Sequence, residues 1–345
     1  MNYFPNSIKN ILITGGSGFI GSAMVTRLLN KTSLNIFNLD KLGYANNEKI
    51  LYECKKSNRY IHIKADLTSL EDTTEAIKLS NPDLVFHFAA ESHVDTSINN
   101  PKIFLDNNIN GTFNLLEALV RHWESIGLKR KKQFRLLHIS TDEVFGSLGK
   151  NGLFSENSPY SPRSPYSATK AASDHLVKAW NNTYGLPILI TNSSNNYGPR
   201  QLPEKLIPVI IKNAISNKEI PIYGDGTNIR DWIFVEDNID ALIKVILYGK
   251  IGQSYCIGGG EEKTNNEIVD MVCQALDNYN KKNIPHIRFK KYIIDRKGHD
   301  ERYAVDYRKI QNELNWSPSY NLTRGIDITV KWYLDNLDWP KSEFV

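Results

Sequence analysis

The sequence has 345 residues, of which 41% are hydrophobic and 23% charged, and a formal net charge of +4. This is the composition of a folded chain long enough to bury a substantial core, and it excludes a disordered polyelectrolyte or a protein built to track a phosphate backbone. Cys54, Cys256 and Cys273 are too far apart for a zinc site or a disulfide framework, no stretch approaches ~18 consecutive apolar residues, and Met1 to Asn10 lack the apolar centre of an export signal. A soluble cytoplasmic protein is expected, with no metal, nucleic acid or membrane partner.

In chain order, short apolar runs alternate with longer segments of helical period. The runs are Asn10 to Thr14, Asn35 to Leu39, Tyr60 to Lys64, Leu84 to Phe88, Leu136 to Ser140 and Pro187 to Thr191. Strands this apolar suit a parallel sheet buried on both faces, so the alternation predicts a doubly wound Rossmann-type α/β fold. The basic run Lys129 to Lys132 reads as a solvated loop. Leu153 to Pro165, with three prolines, reads as an ordered loop in front of a helix. After Thr191 prolines and glycines become frequent and the elements shorter. The expected division is therefore a dinucleotide domain over 1–191, with 231–258 returning to it, and a smaller substrate-binding region over 192–230 and 259–345.

Thr14-Gly15-Gly16-Ser17-Gly18-Phe19-Ile20-Gly21 follows the first run, and a helical pattern starts at once with Ala23, Val25, Leu28 and Leu29. Glycines in this strand–turn–helix context let backbone N–H groups approach a pyrophosphate at the helix N-terminus. Asp40 ends the second run, where a carboxylate binds the adenosine ribose hydroxyls and repels a 2′-phosphate, so NAD is expected rather than NADP. Asp66 and Phe88-Ala89-Ala90 end the third and fourth runs, on the carboxyl edge where open α/β sheets bind ligands.

Tyr166 and Lys170 stand one helical turn apart. A nearby ammonium and a cationic nicotinamide would both favour the phenolate, making Tyr166 a base for an alcohol proton. Ser140-Thr141-Asp142-Glu143 closes the fifth run, and a hydroxyl with two carboxylates beside a redox site suits proton donation and proton removal on a sugar.

At this point the chain resembles the nucleotide-sugar 4,6-dehydratases, especially the dTDP-glucose 4,6-dehydratase family of extended short-chain dehydrogenases, over nearly its whole length. The carrying motifs are GGSGFIG at 15–21, FAAESHVD at 88–95, STDEVFG at 140–146, SPYSATKAASDHL at 164–176, NNYGP at 195–199, PEKLIP at 203–208, PIYGDG at 221–226 and GHDERYAVD at 298–306. The resemblance implies that Tyr166 takes the C4 hydroxyl proton, Glu143 the C5 proton, and that Asp142 protonates the departing C6 hydroxyl. An NDP-glucose, with dTDP or UDP as nucleotide, would thus become a 4-keto-6-deoxyglucose for deoxysugar synthesis of the rhamnose type. NAD would stay tightly bound, contacted by Gly15, Gly18, Phe19, Ile20, Gly21, Asp40, Lys41, Asp66, Leu67, Phe88, Ala89, Ala90, Ser92, Asn107, Tyr166, Lys170 and Asn196. Ser92, Thr141, Asn195, Lys205, Leu206, Pro221, Ile222, Tyr223, Arg230, Asn265, His299, Asp300, Glu301, Arg302 and Tyr303 would hold the substrate, with Arg230 as a two-pronged phosphate clamp. The resemblance also implies a homodimer formed through helices after Gly111 and after Ala171.

The chain departs from the family pattern at Gly43, Thr96, Phe145 and Arg200-Gln201-Leu202. A UDP-sugar 4-epimerase or decarboxylase would share the glycine turn and the Tyr/Lys pair, but has no need of acids at C5 and C6. A non-catalytic NAD-binding scaffold would need none of these groups.

Overall fold

The computed structural model describes residues 4–43, 52–279 and 285–339. The outer ends of the expected domains, 1–3 and 340–345, lie outside these. The six expected runs form strands β1 (Asn10–Thr14), β2 (Asn35–Leu39), β3 (Tyr60–Ile63), β4 (Leu84–His87), β5 (Arg135–Thr141) and β6 (Ile188–Ser193). Six further short strands follow: β7 (Asn195–Tyr197), β8 (Ile220–Tyr223), β9 (Ile229–Phe234), β10 (Ser254–Ile257), β11 (Glu262–Thr264) and β12 (Lys290–Ile293).

The main sheet is parallel throughout, in the order β10-β6-β5-β4-β1-β2-β3. Chain order reverses between β1 and β4, so a crevice opens at the carboxyl ends of those two strands, the usual ligand position in such sheets. The central strands are buried on both faces, as their uninterrupted apolar runs require. Leu12, Val85 and Leu136 face one layer of helices, while Ile13, Phe86 and Leu137 face the other. β10 extends the sheet beyond β6.

The remaining strands build two small sheets, β11-β9-β7 and β12-β8. With the helices Leu206–Ile215, Asn265–Tyr279 and Leu322–Asp335 they enclose a second apolar cluster that includes Ile211, Ile222, Phe234, Val272 and Val330. The sequence reading treated this half only as short elements, because strands of three or four residues carry too few positions for a period to show. Residues 128–133, read as a loop, form one short helix, in which Arg130 pairs with Asp83 at 2.8 Å while Lys131 lies over the Trp123 ring.

Gly325 sits where the helix Leu322–Asp335 crosses Tyr197, and a Cβ there would lie 1.9 Å from the phenolic oxygen. The ring is itself packed edge-on against Trp232 and Phe234, which leaves it little room to move. Gly325→Ala is therefore expected to destabilise the protein by ~1–3 kcal/mol, read as a fall in the thermal midpoint; an unchanged midpoint would contradict this packing.

Candidate active site

The glycine turn is shaped by what its neighbours leave free. Gly15 has φ +69°, and a Cβ on it would lie 2.6 Å from the Ala89 nitrogen; a Cβ on Gly21 would lie 2.2 Å from the Gly15 oxygen. These two glycines let the turn close against β4 and let the helix Phe19–Lys31 start directly beneath it. Gly18, by contrast, has only the Gly15 oxygen nearby, at 3.5 Å. It caps the helix without a side-chain hydrogen bond, and the first turn carries no acid. The positive end of the helix dipole is thus left to an outside anion, which fits a pyrophosphate. Asp40 accepts from the Ser17 N–H at 3.0 Å and the Leu42 N–H at 2.8 Å, so its carboxylate is fixed at the tip of β2.

A cleft of about 370 Å³ runs from this turn along the carboxyl edge of the sheet. Its lining brings together the expected cofactor residues Gly15, Gly18, Phe19, Ile20, Gly21, Asp40, Lys41, Asp66, Leu67, Phe88, Ala89, Ala90, Ser92, Asn107 and Asn196 with Thr141, Asp142, Glu143, Tyr166, Lys170, Asn195, Lys205 and Leu206. Lys41 closes one end, donating to Asn107 Oδ1 at 2.5 Å and lying 3.7 Å from both Asp66 and Glu91.

Two local motifs aim the reacting groups. The helix Pro165–Tyr184 begins with a reciprocal Ser164/Ser167 capping box and Pro165 in its first turn, which fixes the start one residue before Tyr166. Strand β5 ends at Thr141, whose hydroxyl accepts from the Glu143 N–H at 3.3 Å and turns the chain into the short helix Asp142–Phe145. Gly146 then passes so close to Ser161 that a Cβ would meet its carbonyl at 2.5 Å, and the proline-containing loop folds over the strand end.

The electrostatics separate the two acids. Burial pushes Asp142 well above the usual carboxylate range, and the charges of Glu143 and Asp231 add to it. Burial also raises Glu143, but Arg296, Lys205 and Arg230 oppose the rise. Asp142 therefore suits a proton donor and Glu143 a proton acceptor. Burial lowers Lys170 to about 8, and its Nζ donates to the Ile139 carbonyl at 2.8 Å. Tyr166 departs from expectation. Among the protein's own groups, burial and the charges of Glu143 and Asp142 push its phenol well above the ordinary range, with the Thr141 hydroxyl opposing them.

The outer substrate residues Pro221, Ile222, Tyr223, Arg230, Asn265, His299, Asp300, Glu301, Arg302 and Tyr303 lie beyond the cleft lining, on β8, β9, the start of the helix Asn265–Tyr279 and the strap before the helix Arg308–Leu314. Arg230 was expected to grip a phosphate. In the structure it is buried, its guanidinium 4.3 Å from the Tyr303 ring centroid, with Nη1 and Nη2 donating to the carbonyls of Ile229 at 2.7 Å and Asp300 at 2.9 Å. Arg302 is likewise spent on a two-point ion pair with Glu262. Arg296 was missed by the sequence reading, although among the surrounding cations it has the largest influence on Glu143. The available signal was its place just before the matched stretch at 298–306. Lys205 donates to the Ser92 carbonyl at 2.8 Å, joining the two walls of the cleft. Glu91, Gln201, Glu204 and Trp232 also line the cleft and were not anticipated.

Fold and site together define the extended short-chain dehydrogenase class. The family model described as GDP-mannose 4,6 dehydratase matches residues 12–329. The dTDP-glucose 4,6-dehydratase of Haemophilus influenzae is 49% identical over 95% of this chain and 99% of its own length. Among solved structures, the NAD complex of the Bacillus anthracis dTDP-glucose 4,6-dehydratase superposes with a TM-score of 0.84 at 40% identity, covering 96% of this chain and 99% of that one. DesIV, the dTDP-glucose 4,6-dehydratase of Streptomyces venezuelae, also solved with NAD, gives a TM-score of 0.87 at 38% identity, covering 95% and 98%. The chain belongs to the nucleotide-sugar 4,6-dehydratase family.

The raised Asp142 has a consequence for stability. The unfolded chain ionises this carboxyl at the ordinary value of about 4, whereas the folded chain holds the proton to higher pH, so stability falls as pH rises through that window. Asp142→Asn is expected to be more stable than the parent at about pH 7 by on the order of 1 kcal/mol, with the gain vanishing near about pH 4 in thermal melts. A gain independent of pH would contradict the assignment.

Proposed function

We propose that this chain is a dTDP-glucose 4,6-dehydratase with NAD as resident cofactor, yielding dTDP-4-keto-6-deoxyglucose for deoxysugar synthesis of the rhamnose type. The observation that carries the reading is the pairing of Asp142 and Glu143, adjacent carboxyls in different electrostatic surroundings, in the cleft that also holds Tyr166 and Lys170.

The glycine turn, Asp40, and the strand-end residues Asp66, Leu67 and Phe88 to Ala90 hold NAD along the sheet edge. When bound, NAD would supply a hydride acceptor for C4 and a hydride donor for C6, and its positive charge would favour the Tyr166 phenolate. Tyr166 Oη removes the C4 hydroxyl proton, with the Lys170 ammonium supporting it. The resulting ketone acidifies C5, and Glu143 removes that proton. Asp142, kept protonated by burial, donates to the C6 hydroxyl as it leaves as water. Thr141, Ser92 and Asn195 orient the sugar. Lys205 and Arg296 supply the positive field for the diphosphate, while Arg230 shapes the 300–303 strap against it. Residues 1–191 with 231–258 form the cofactor half, and 192–230 with 259–345 the substrate half. A 4-epimerase reading leaves the acid pair without work.

Among the described residues no helix is long and apolar enough to cross a membrane, and a cytoplasmic homodimer is the proposed working form. Phe113 and Tyr184 are 40% and 48% exposed on the two helices expected to pair, with Phe113 edge-on to Trp180 at 5.7 Å.

With dTDP-glucose as sole addition, the product should be lighter by one water, with no external reductant required. Glu143→Gln should still reduce the bound nicotinamide while elimination slows by ~10²–10⁴-fold. Near-normal turnover in that variant, or a product of unchanged mass from the parent, would contradict the reading.

A further inference from the structure

Tyr166, Lys170 and Asp174 follow at four-residue spacing on one helix and so share one stripe. Asp174 is 0% exposed, and no step above uses it. Its Oδ2 accepts from the Ser140 hydroxyl at 2.8 Å and from the Tyr160 hydroxyl at 2.8 Å. Ser140 directly precedes the Thr141-Asp142-Glu143 turn, and Tyr160 belongs to the loop that folds over it. Asn192 on β6 donates to the Thr141 carbonyl at 3.2 Å and reaches Asp174 Oδ2 at 3.5 Å. One carboxylate thus joins the helix bearing Tyr166 and Lys170 to the strand end bearing the acid pair.

Burial opposes its charge, but His138, the Lys170 ammonium and the Tyr160 hydroxyl outweigh burial and hold the carboxyl below the usual range. A buried carboxylate of this kind needs a cation. His138 Nε2 lies 3.1 Å from Asp174 Oδ1, yet burial pushes both His138 on β5 and His87 on β4 below their ordinary range, so they are neutral at about pH 7. The other titratable groups facing this stripe are Tyr160, Tyr166, Asp142 and Glu143, none of which carries positive charge, and Lys178 one turn further on, whose ammonium lies over the Tyr160 ring at 5.3 Å from its centroid. Of the two lysines, Lys170 is the one whose charge lowers Asp174, and Asp174 is the charge that opposes its loss of a proton on burial.

We infer that Asp174 is a positioning residue for C4 oxidation: its charge keeps the proton on Lys170, and its hydrogen bonds align the Tyr166 helix with the acid-bearing strand end. The inference rests on the roles proposed above for Tyr166 and Lys170. In the Glu143→Gln background only C4 oxidation proceeds, and the pH above which reduced nicotinamide no longer forms reports the loss of the Lys170 proton. Adding Asp174→Asn should move that limb to lower pH by about one unit or more. Adding Asp174→Glu, which keeps the charge, should leave the limb in place even where the rate drops. An unmoved limb with Asn, or an equal displacement with Glu, overturns the inference. Should Asp174→Asn fail to fold, as judged by circular dichroism and NAD content, Ser140→Ala combined with Tyr160→Phe removes two donors that hold Asp174 ionised. The limb should then move the same way, and a fixed limb would overturn the inference. Failure of Glu143→Gln itself to form reduced nicotinamide at any pH would instead remove the underlying roles of Tyr166 and Lys170.

Discussion

Placing ionisable groups in a dry sheet edge makes each one's charge depend on the others. Tyr166, Lys170, Asp142 and Glu143 all line one cleft, and Asp142 and Lys170 are almost wholly buried. Burial alone would leave all four uncharged. What differs is the company each keeps: Asp142 faces two further acids and one cation, Glu143 three cations and one acid, and Lys170 faces Asp174. An acid and a base made from adjacent carboxylates therefore come from packing rather than from residue type.

That packing depends on the parallel sheet. Because β1 and β4 are neighbours and β5 lies next to β4, the glycine turn, the Phe88 to Ala90 floor and the Thr141 turn all reach the same edge. The smaller half completes the site from the far side. Lys205 bonds the Ser92 carbonyl, and the strap at 300–306 hydrogen-bonds both the loop covering β5 and strand β9. Neither half by itself surrounds Glu143 with its cations.

Features set by contiguous residues were legible in the sequence. The glycine turn, the Tyr166/Lys170 spacing, the acid pair and all six strand runs, to within a residue or two at each end, follow from local pattern. What escaped depends on distant neighbours. Nothing local to Arg230 says that its guanidinium will lie over the Tyr303 ring and donate to the carbonyl of residue 300. Nothing local to Tyr166 says that burial and the charges of the acid pair will push its phenol upward. Arg296 gains its influence on Glu143 only once the strap folds back across β9. The helix at 128–133 was hidden by its charge, because a four-residue basic run reads as solvated whether or not its backbone is helical.

The central claim is that burial and its acidic neighbours make Asp142 hold its proton to higher pH than Glu143 beside it, so that the pair can supply one acid and one base. Isotope-edited infrared difference spectroscopy of the NAD-bound enzyme, comparing the parent with Asp142→Asn and Glu143→Gln, reads this directly. The account predicts that at about pH 7 a protonated carboxylic acid band disappears with Asp142→Asn, while Glu143→Gln removes only a carboxylate band. Loss of a carboxylate band with Asp142→Asn, or of a carboxylic acid band with Glu143→Gln, would contradict it.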